Sequence, residues 1–600
     1  FRLNGNTSIQ AEWLGLTGLE QRLTRLNGEL NFTEKTVRAN DIDAMLFGRP
    51  VKLDIRPGSD ASGAITSTLV ELRGRHSSTN LVGNLPFPVQ VVMDGETDWQ
   101  AVARLPSGGS SGERFSVEVS SALTGMAISL PDPVFKPAGE SRRFTADIAF
   151  PQDGEITMRT RLGNAFTGFS RFSKDRGTWR HERSAVGLGE SIENLPATEG
   201  LVVSGAVDAL AIDDWIEVDW QTPDDGSPPL LRSVNMRASR LSAYGQVIPE
   251  AAIKLDRNAR EWLAQITSER VEGSLLIPVD LDGDEPVFAD MVRLVLMPED
   301  TQSGVSETAD PRELPAMRIS TAEFVYDDMS FGSMSAVISR SPNGLVLESF
   351  ETRDPGFVVE GGGRWEVVDG QEGCNFDFDL TASNVRRALT QLAFDPIMKA
   401  TEATVSGQLR WRGPPDRNFR EALSGTVSVR VGDGQLLDVE PGAGRMFGLL
   451  SIAALPRRLS LDFRDVFDSG FGFDGISGDF ELVDGQAYTN NLVLDGPAAD
   501  IGIAGRAGLV ARDYDQTAVV RANLGSALPV AGALAGGPAV GAALLIFSEI
   551  LKDPLKDMSK VLYRVTGSWD NPDIVRVNQA VADAPTVEGV PPVPAGDDGG

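Results

Sequence analysis

The 600-residue chain is poor in the residues that carry out most enzyme chemistry. It contains two histidines, His76 and His181, and a single cysteine, Cys374. Histidine is the commonest general base and metal ligand, and these three residues cannot form an ordinary zinc site without carboxylate ligands. One cysteine excludes a disulfide framework within the chain, and no P-loop motif occurs. We therefore expect no catalytic residues, no metal and no cofactor.

Positive charge is also scarce. The chain has 55 Lys and Arg against 85 Asp and Glu, which gives a formal net charge of −30. Nucleic-acid binding requires a basic surface that offsets the phosphates, so this composition argues against a nucleic-acid partner. It also disfavours a broad electrostatic attachment to anionic lipid headgroups. The length predicts several domains or a repetitive architecture.

Three local patterns resemble chemical sites, but each is better explained by ordinary structure. A nucleophile-elbow match lies in a Ser/Gly turn without the required downstream partners. A calcium-loop-like run lacks Gly at the sixth position and Glu at the twelfth, so a hairpin loop is favoured over adventitious calcium. Paired carboxylates leave an acidic glycosidase as a weak alternative to solvated strand faces. These patterns are, in order, Gly108–Gly112, Asp280–Glu285, and the pairs Asp213 with Asp214 and Asp462 with Asp465.

Apolar and polar residues alternate with period two along most of the chain, which predicts strands with one dry face. The alternation is typical of antiparallel sheets that are covered on one side. Its apolar members include four sets: Phe115, Val117 and Val119; Ile216, Val218 and Trp220; Phe376, Phe378 and Leu380; and Val427, Val429 and Val431.

A short glycine motif recurs inside these predicted strands. It consists of an aliphatic residue, any residue, Gly, any residue and an apolar residue. Glycine inside a strand usually marks a bulge, a bend or a close approach of the backbone. The spacing of the motif is irregular, so it predicts a long meander rather than a tight solenoid. Its glycines are Gly28, Gly205, Gly407, Gly425, Gly478 and Gly567.

Few helices are expected. Residues 383–392 have a plausible N-cap and good helix formers, residues 442–454 form a second candidate, and the opening stretch supplies a third and a fourth. Residues 578–600 are rich in Pro, Gly and Asp and are expected to be a disordered tail.

The longest uncharged run covers 27 residues, from Ala522 to Ser548. It is long enough to suggest a transmembrane helix, but Pro529, Pro538 and the pair Gly536-Gly537 divide it into two shorter pieces. We therefore predict an apolar helical hairpin at 524–551. A helix that is apolar nearly all round is either buried or in lipid, and the sequence leaves a core plug and a membrane contact equally open.

The C-terminal third resembles the AsmA-like envelope proteins, and most closely their YhdP branch. Weaker echoes extend the resemblance over residues 1–577. The strongest matches are Val439–Ser451, Leu455–Phe467, Gly470–Asp474, Leu494–Pro497, Ala511–Gln516, Leu528–Val530, Gly536–Pro538 and Gly567–Trp569, and the echoes include Leu123–Gly125 and Leu130–Pro133.

The resemblance implies a mainly β protein: an elongated, curled antiparallel β-sheet that forms an apolar groove of the kind used for bridge-like lipid transfer. A few short helices, including the C-terminal apolar hairpin, would complete it. The expected segments are β-groove regions at 1–140, 141–310 and 311–424, an AsmA-like C-terminal region at 425–577, and the tail at 578–600.

The implied function is non-enzymatic transport of glycerophospholipids across the periplasm, between the inner and outer membranes, which would support the outer-membrane barrier. The expected partners are phospholipids and, at the C-terminal end, a membrane. The body would lie in the periplasm, anchored in the inner membrane by a helix that precedes Phe1. The alternative is a β-sandwich scaffold or adhesin-like envelope protein with closed cores.

Two sets of residues follow from this interpretation. The residues that we expect to contact acyl chains in the groove are Phe376, Phe378, Leu380, Val427, Val429 and Val431. The residues that we expect to contact the membrane lie in the uncharged hairpin and are Leu528, Val530, Leu534, Val540, Leu544, Phe547 and Leu551.

Overall fold

A computed structural model describes residues 4–15, 22–82, 92–106, 113–151, 155–175, 178–216, 218, 231–281, 283, 285–297, 310–415, 417–437, 471–522 and 560–577. Within these ranges the chain forms 34 strands, three short α-helices and one 3-10 helix. The contacts divide it into two units, Phe1–Asp280 and Leu281–Gly600. The prediction of a mainly β fold with few helices is therefore confirmed.

The first unit contains seventeen of these strands. They are β1 (Asn4–Gly15), β2 (Arg22–Thr33), β3 (Val37–Leu46), β4 (Arg49–Ser59), β5 (Ile65–Ser77), β6 (Met93–Pro106), β7 (Glu113–Ser121), β8 (Met126–Ile128), β9 (Phe144–Pro151), β10 (Ile156–Leu162), β11 (Phe166–Asp175), β12 (Thr178–Leu188), β13 (Gly200–Ala211), β14 (Leu231–Ala243), β15 (Gln246–Arg257), β16 (Glu261–Thr267) and β17 (Val271–Pro278).

The second unit contains the other seventeen. They are β18 (Val287–Leu296), β19 (Met317–Tyr326), β20 (Met329–Ser341), β21 (Gly344–Asp354), β22 (Phe357–Val368), β23 (Gln371–Ala382), β24 (Met398–Ala400), β25 (Ala403–Arg412), β26 (Ser424–Val431), β27 (Gly434–Leu436), β28 (Phe471–Phe473), β29 (Gly475–Val483), β30 (Gln486–Asp495), β31 (Ala499–Gly508), β32 (Asp513–Ala522), β33 (Lys560–Ser568) and β34 (Pro572–Arg576).

Strands that follow one another in the chain are mostly neighbours in the sheet. In the first unit the exception is β8, which pairs with β6, while β7 pairs with β9. In the second unit β24, β27 and β28 form a separate three-stranded sheet, so β23 pairs with β25 and β26 with β29. Most pairs are antiparallel, as predicted, and three of the described pairs are parallel: β12 with β13, β13 with β14, and β18 with β19.

Tight hairpin turns explain how successive strands come to lie side by side. Asp369-Gly370 joins β22 to β23, and Asp484-Gly485 joins β29 to β30, with positive φ angles at both residues of each pair. Two-residue turns of this kind match the right-handed twist of the flanking strands, and they favour Asp or Asn followed by Gly because both positions are left-handed. The sequence therefore sets the register of these hairpins locally.

The helices are α1 (Ser78–Val82), α2 (Ile212–Ile216) and α3 (Val385–Gln391), with the 3-10 helix at Arg417–Glu421. Helix α3 confirms the prediction for residues 383–392, and the side chain of its N-cap, Asn384, accepts a hydrogen bond from the amide of Arg387 at 3.1 Å. The candidate helix at 442–454 lies outside the described residues. Two other expectations fail: the helices of the opening stretch and the strand that begins at Ile216.

The prediction of two helices in the opening stretch is wrong, because residues 4–15 and 22–33 form the paired strands β1 and β2. The alternation predicted from Ile216 onward also fails at its first residue. Ile216 ends helix α2, whose first turn carries Asp213 and Asp214. Acidic residues in the first turn favour a helix through its dipole, and this local effect outweighed the short apolar alternation.

Candidate functional site

The six predicted groove residues lie on one face of the sheet in the second unit. Strand β25 separates β23 from β26, and its register places Phe378 and Val427 on either side of Gly407. By the same register Leu380 and Val429 flank Val405. Because side chains alternate between faces with period two, the remaining groove residues of both strands, Phe376 and Val431, lie on this face as well.

Burial distinguishes this face from the opposite one. On β23, Phe376, Phe378 and Leu380 are half-buried, whereas Asp377 and Asp379 between them are exposed. On β26, Val427, Val429 and Val431 are buried. One side of the sheet is therefore apolar and the other is charged and solvated. We call the first side the apolar face.

Aromatic rings lie flat on the apolar face because glycines leave room for them. A Cβ placed on Gly407 would lie 2.5 Å from the ring of Phe378, and one on Gly361 would lie 2.9 Å from the ring of Phe376. The two rings are stacked, with their centroids 6.0 Å apart, and Phe350 meets Phe376 edge-on at 6.0 Å. We call Phe350, Phe376 and Phe378 the aromatic floor.

This geometry explains the recurring glycine motif. At Gly28, Gly407 and Gly478 the space that a side chain would need is filled by Ile42, Phe378 and Leu492, each from a neighbouring strand. At these three positions the motif marks a close approach across strands, which is one of the three meanings expected from the sequence, and a larger neighbouring side chain covers the glycine.

The apolar face continues toward the C-terminus, where it becomes a closed core. Leu494, Ile501 and Tyr563 are each 0% exposed, whereas the aromatic floor is only half-buried. The packed end therefore stabilises the unit, whereas the aromatic floor keeps part of its surface exposed. Strands β29 to β33 contribute Ile476, Phe480, Leu482, Ala487, Leu492, Leu494, Ile501, Ile503, Ala507, Tyr514, Ala518, Val520, Val561, Tyr563 and Val565 to this core.

An ion pair fixes helix α3 to the end of strand β21. The buried carboxylate of Asp354 accepts hydrogen bonds from Nε and Nη2 of Arg387, at 2.6 and 2.8 Å, and from the amide of Gly356 at 2.8 Å. Val385 and Ala388 of α3 are buried in the same hydrophobic cluster as Phe357. The Arg387 guanidinium, with help from the Gly356 amide, holds the pKa of Asp354 below its ordinary value of 3.8.

We expect Asp354→Asn to loosen α3 and β21 by about 1–3 kcal/mol, because it removes a charge-assisted hydrogen-bonded pair. Since the pKa of Asp354 is lower in the folded chain than in the unfolded chain, the ion pair stabilises the fold above pH 3.8. This stabilisation is lost as the pH falls below 3.8 through the folded pKa. Hydrogen exchange of α3 at pH 6 and pH 3 measures both effects. Equal protection of α3 in the wild-type chain and in D354N at pH 6 would contradict the assignment.

The first unit has an apolar face of its own. Strands β3 to β5 bring together Ile42, Leu53 and Leu72 in register. Further along, Phe115 stacks on Phe150 with centroids 4.3 Å apart, within a cluster that also contains Ile156 and Phe172. The opposite side of these strands carries ion pairs such as Lys52 with Asp43. The pattern of one apolar and one charged side therefore holds in both units.

The two histidines take structural positions in the first unit. His76 is fully buried: its Nε2 is 2.9 Å from the carbonyl oxygen of Leu46, and Trp99 Nε1 donates to its Nδ1 at 2.9 Å. His181 Nε2 lies 2.7 Å from Ser184 Oγ, and burial lowers the pKa of this imidazole below 6.5. Both rings are therefore held by neighbours within the sheet.

The remaining chemical patterns give no site in the part of the chain that the structure describes. Asp213 accepts a hydrogen bond from the amide of Tyr244 at 2.9 Å, which is a structural contact. Gly108–Gly112, Asp462 and Asp465 lie outside the described residues, as do Asp282 and Asp284 of the calcium-like run. Among the described residues, no three His, Cys, Asp or Glu side chains are grouped as a metal site would require.

The predicted membrane contacts at 524–551 lie outside the described residues, as does the tail at 578–600. This applies to Leu528, Val530, Leu534, Val540, Leu544, Phe547 and Leu551. Among the helices that the structure describes, none has both the length and the hydrophobicity needed to cross a membrane.

Fold and site together define a class of protein: a β-sheet protein built of long meanders, with an apolar face in each unit and charge on the other side. A family model described as YhdP protein matches residues 2–574, and the chain belongs to that family. The resemblance noted from the sequence is thereby confirmed.

A search of curated proteins adds one relative. The chain is 24% identical over 604 residues to the intermembrane phospholipid transporter YhdP of Escherichia coli (strain K12), an alignment that covers 96% of the chain and 46% of that protein. The chain thus spans about half the length of this relative. No solved structure matches.

Proposed function

We propose that the chain is a non-enzymatic conduit segment for glycerophospholipids, with acyl chains on the apolar face and the charged side toward water. The observation that carries the proposal is the half-buried aromatic floor, which offers aromatic surface to a ligand within an otherwise packed apolar face. The printed function of the E. coli relative, intermembrane phospholipid transport, supports the same substrate class.

Physical chemistry favours such a surface for lipid transfer. A two-chain lipid carries roughly 30 methylenes, and each costs about 0.8 kcal/mol in water, so unprotected transfer costs more than about 20 kcal/mol. A continuous apolar face removes most of this cost without any catalytic group. The β-sandwich alternative is not favoured, because apart from the three-stranded sheet the described strands of each unit pair in succession rather than as two packed sheets.

The proposal places the chain in the periplasm of a cell envelope, between an inner and an outer membrane, where it supports the outer-membrane barrier. The segment at 523–559 is proposed to contact a membrane through the predicted residues from Leu528 to Leu551. Arg521 on β32 is the register partner of Lys560 on β33, so the described residues on the two sides of this segment lie next to each other.

Mass spectrometry of the full chain, purified without detergent, tests the proposed function. We expect co-purified glycerophospholipid at about one molecule or more per chain, since an open apolar surface of this kind holds lipid in water. A preparation that folds and contains no phospholipid would contradict the proposal.

A further inference from the structure

Two arginines are neighbours at the ends of strands β14 and β15, at the margin of the apolar face of the first unit. Arg257 is the last residue of β15, and it shares a face with Leu255 and the buried Ile253. The register of β14 with β15 ends at the pair of Ser233 with Asp256, so Arg232 and Arg257 are the next residues on the two strands. Alternation of side chains places Arg257 on the apolar face. Arg232 is exposed and lies where the register of β14 with β13 shifts, beside Arg257 at the margin of that face.

Among the described residues no carboxylate pairs with Arg232 or Arg257, and Nε of Arg257 is buried without a hydrogen-bond partner. The nearest acid in sequence, Asp256, lies on the opposite face and pairs with Lys254 at 3.1 Å. Two adjacent cations without a counter-ion among the described residues are unusual in a chain whose net charge is −30.

Arg257 is held in place by an aromatic ring. Trp262 is its register partner on β16, and the guanidinium carbon lies 5.1 Å from the ring centroid. A cation over an aromatic face gains about 0.5–2 kcal/mol and has a fixed orientation. Burial lowers the pKa of Arg257, and the group stays protonated. The planar donors of Arg257 are thus oriented, charged and unoccupied by any described group.

We propose that Arg232 and Arg257 bind the phosphate of a glycerophospholipid whose acyl chains lie along the adjoining apolar face. Guanidinium groups bind phosphate through paired, charge-assisted hydrogen bonds. Ile253, Leu255, Ala264 and Leu275 continue the same face away from the arginines, and they supply the surface for the chains. This site rests on the proposed function and adds a headgroup position to it.

The position at the strand ends fits an amphipathic ligand. The ends of strands form the margins of a groove, where a headgroup reaches water while the chains stay inside. A single phosphodiester brings one negative charge to two guanidinium groups, and so it relieves their mutual repulsion. A neutral lipid with the same chains brings no such charge.

Binding of short-chain lipids to the full chain tests the site. The probes are dihexanoyl phosphatidylglycerol, dihexanoylglycerol, which lacks the phosphate, and inorganic phosphate, each measured by calorimetry. We expect Arg232→Gln with Arg257→Gln to weaken phosphatidylglycerol binding by at least about tenfold and to leave dihexanoylglycerol unchanged. The matched control is Arg237→Gln, an exposed arginine on the other face of β14, and it should change neither affinity.

Three results would overturn the site alone, and a fourth would overturn the proposed function with it. Equal losses for both lipids in the double variant would mean that the arginines only shape the face. Inorganic phosphate that binds as tightly as phosphatidylglycerol, and is lost in the double variant, would assign the pair to free phosphate instead. If the wild-type chain binds both lipids equally and the double variant has the same affinities, this site alone is ruled out. If the wild-type chain binds neither lipid, the proposed function is ruled out with the site.

Discussion

Replacing Phe378 with Asp is expected to reduce the phospholipid bound to the full chain by at least about tenfold, because a carboxylate beside acyl chains costs several kcal/mol when it is unpaired. Phe378 lies in the aromatic floor, half-buried, between Gly361 and Gly407. The two glycines leave space around the shorter side chain, so the substitution should not overpack the sheet. The amount of lipid that co-purifies without detergent measures the effect.

Thr381→Asp is the matched control for this substitution. Thr381 lies on the same strand, β23, but on the exposed side with Asp377 and Asp379. The control adds the same charge to the solvated face, where it should change bound lipid less than twofold. Equal losses from Phe378→Asp and Thr381→Asp would show that charge on the strand matters and the apolar face does not. Circular dichroism verifies that both variants keep the sheet.

Replacing Lys136 with Met is expected to destabilise the segment between β7 and β9 by roughly 3 kcal/mol or more, because it removes three charge-assisted hydrogen bonds to backbone carbonyl groups. The side chain of Lys136 is 0% exposed. Its ammonium donates to the carbonyl oxygens of Leu123, Met126 and Pro137 at 2.8, 2.7 and 3.1 Å. All three donors are satisfied, so the lysine is a structural cross-link of the loop.

Local opening of this loop is best measured by hydrogen exchange. Ile128 and Lys136 exchange backbone hydrogen bonds at 2.8 and 3.1 Å, so the amide of Ile128 reports on the loop. We expect K136M to speed its exchange by about 100-fold, which corresponds to roughly 3 kcal/mol. Lys254→Met, at an exposed lysine, is the control and should leave Ile128 unchanged. Unchanged exchange in K136M would show that the carbonyls find other donors.

The sequence predicted the period of the fold well because the period is a local property. Alternation at Phe376 to Leu380 and at Val427 to Val431 follows directly from one wet and one dry face. The helix at 383–392 was also predictable, since its cap is a local signal. The failures at the opening stretch and at Ile216 have different causes. The opening stretch forms strands because β1 pairs with β2, which no local pattern reveals. At Ile216 the acidic first turn of α2 favours a helix.

Contacts that depend on register could not be read from the sequence. The pairing of Gly407 with Phe378, and of Arg257 with Trp262, joins residues on different strands, and no local pattern specifies which residues meet. The parallel pairs of β12, β13 and β14 were equally hidden, because alternation looks the same in either direction. The glycine motif was the one signal available for the aromatic floor. It indicated a close approach of the backbone at Gly407, but it did not indicate which residue approaches.

Site-specific photo-crosslinking from the apolar face tests the central claim most directly. A photoreactive amino acid is placed at Phe378, at Leu380 or at Val429 on the apolar face, and at Asp379 on the exposed face, in cells that express the full chain. We predict phospholipid adducts from Phe378 and Leu380, a weaker signal from the more buried Val429, and none from Asp379. Equal labelling at Phe378 and Asp379, or no lipid adduct at any apolar position, would contradict the account.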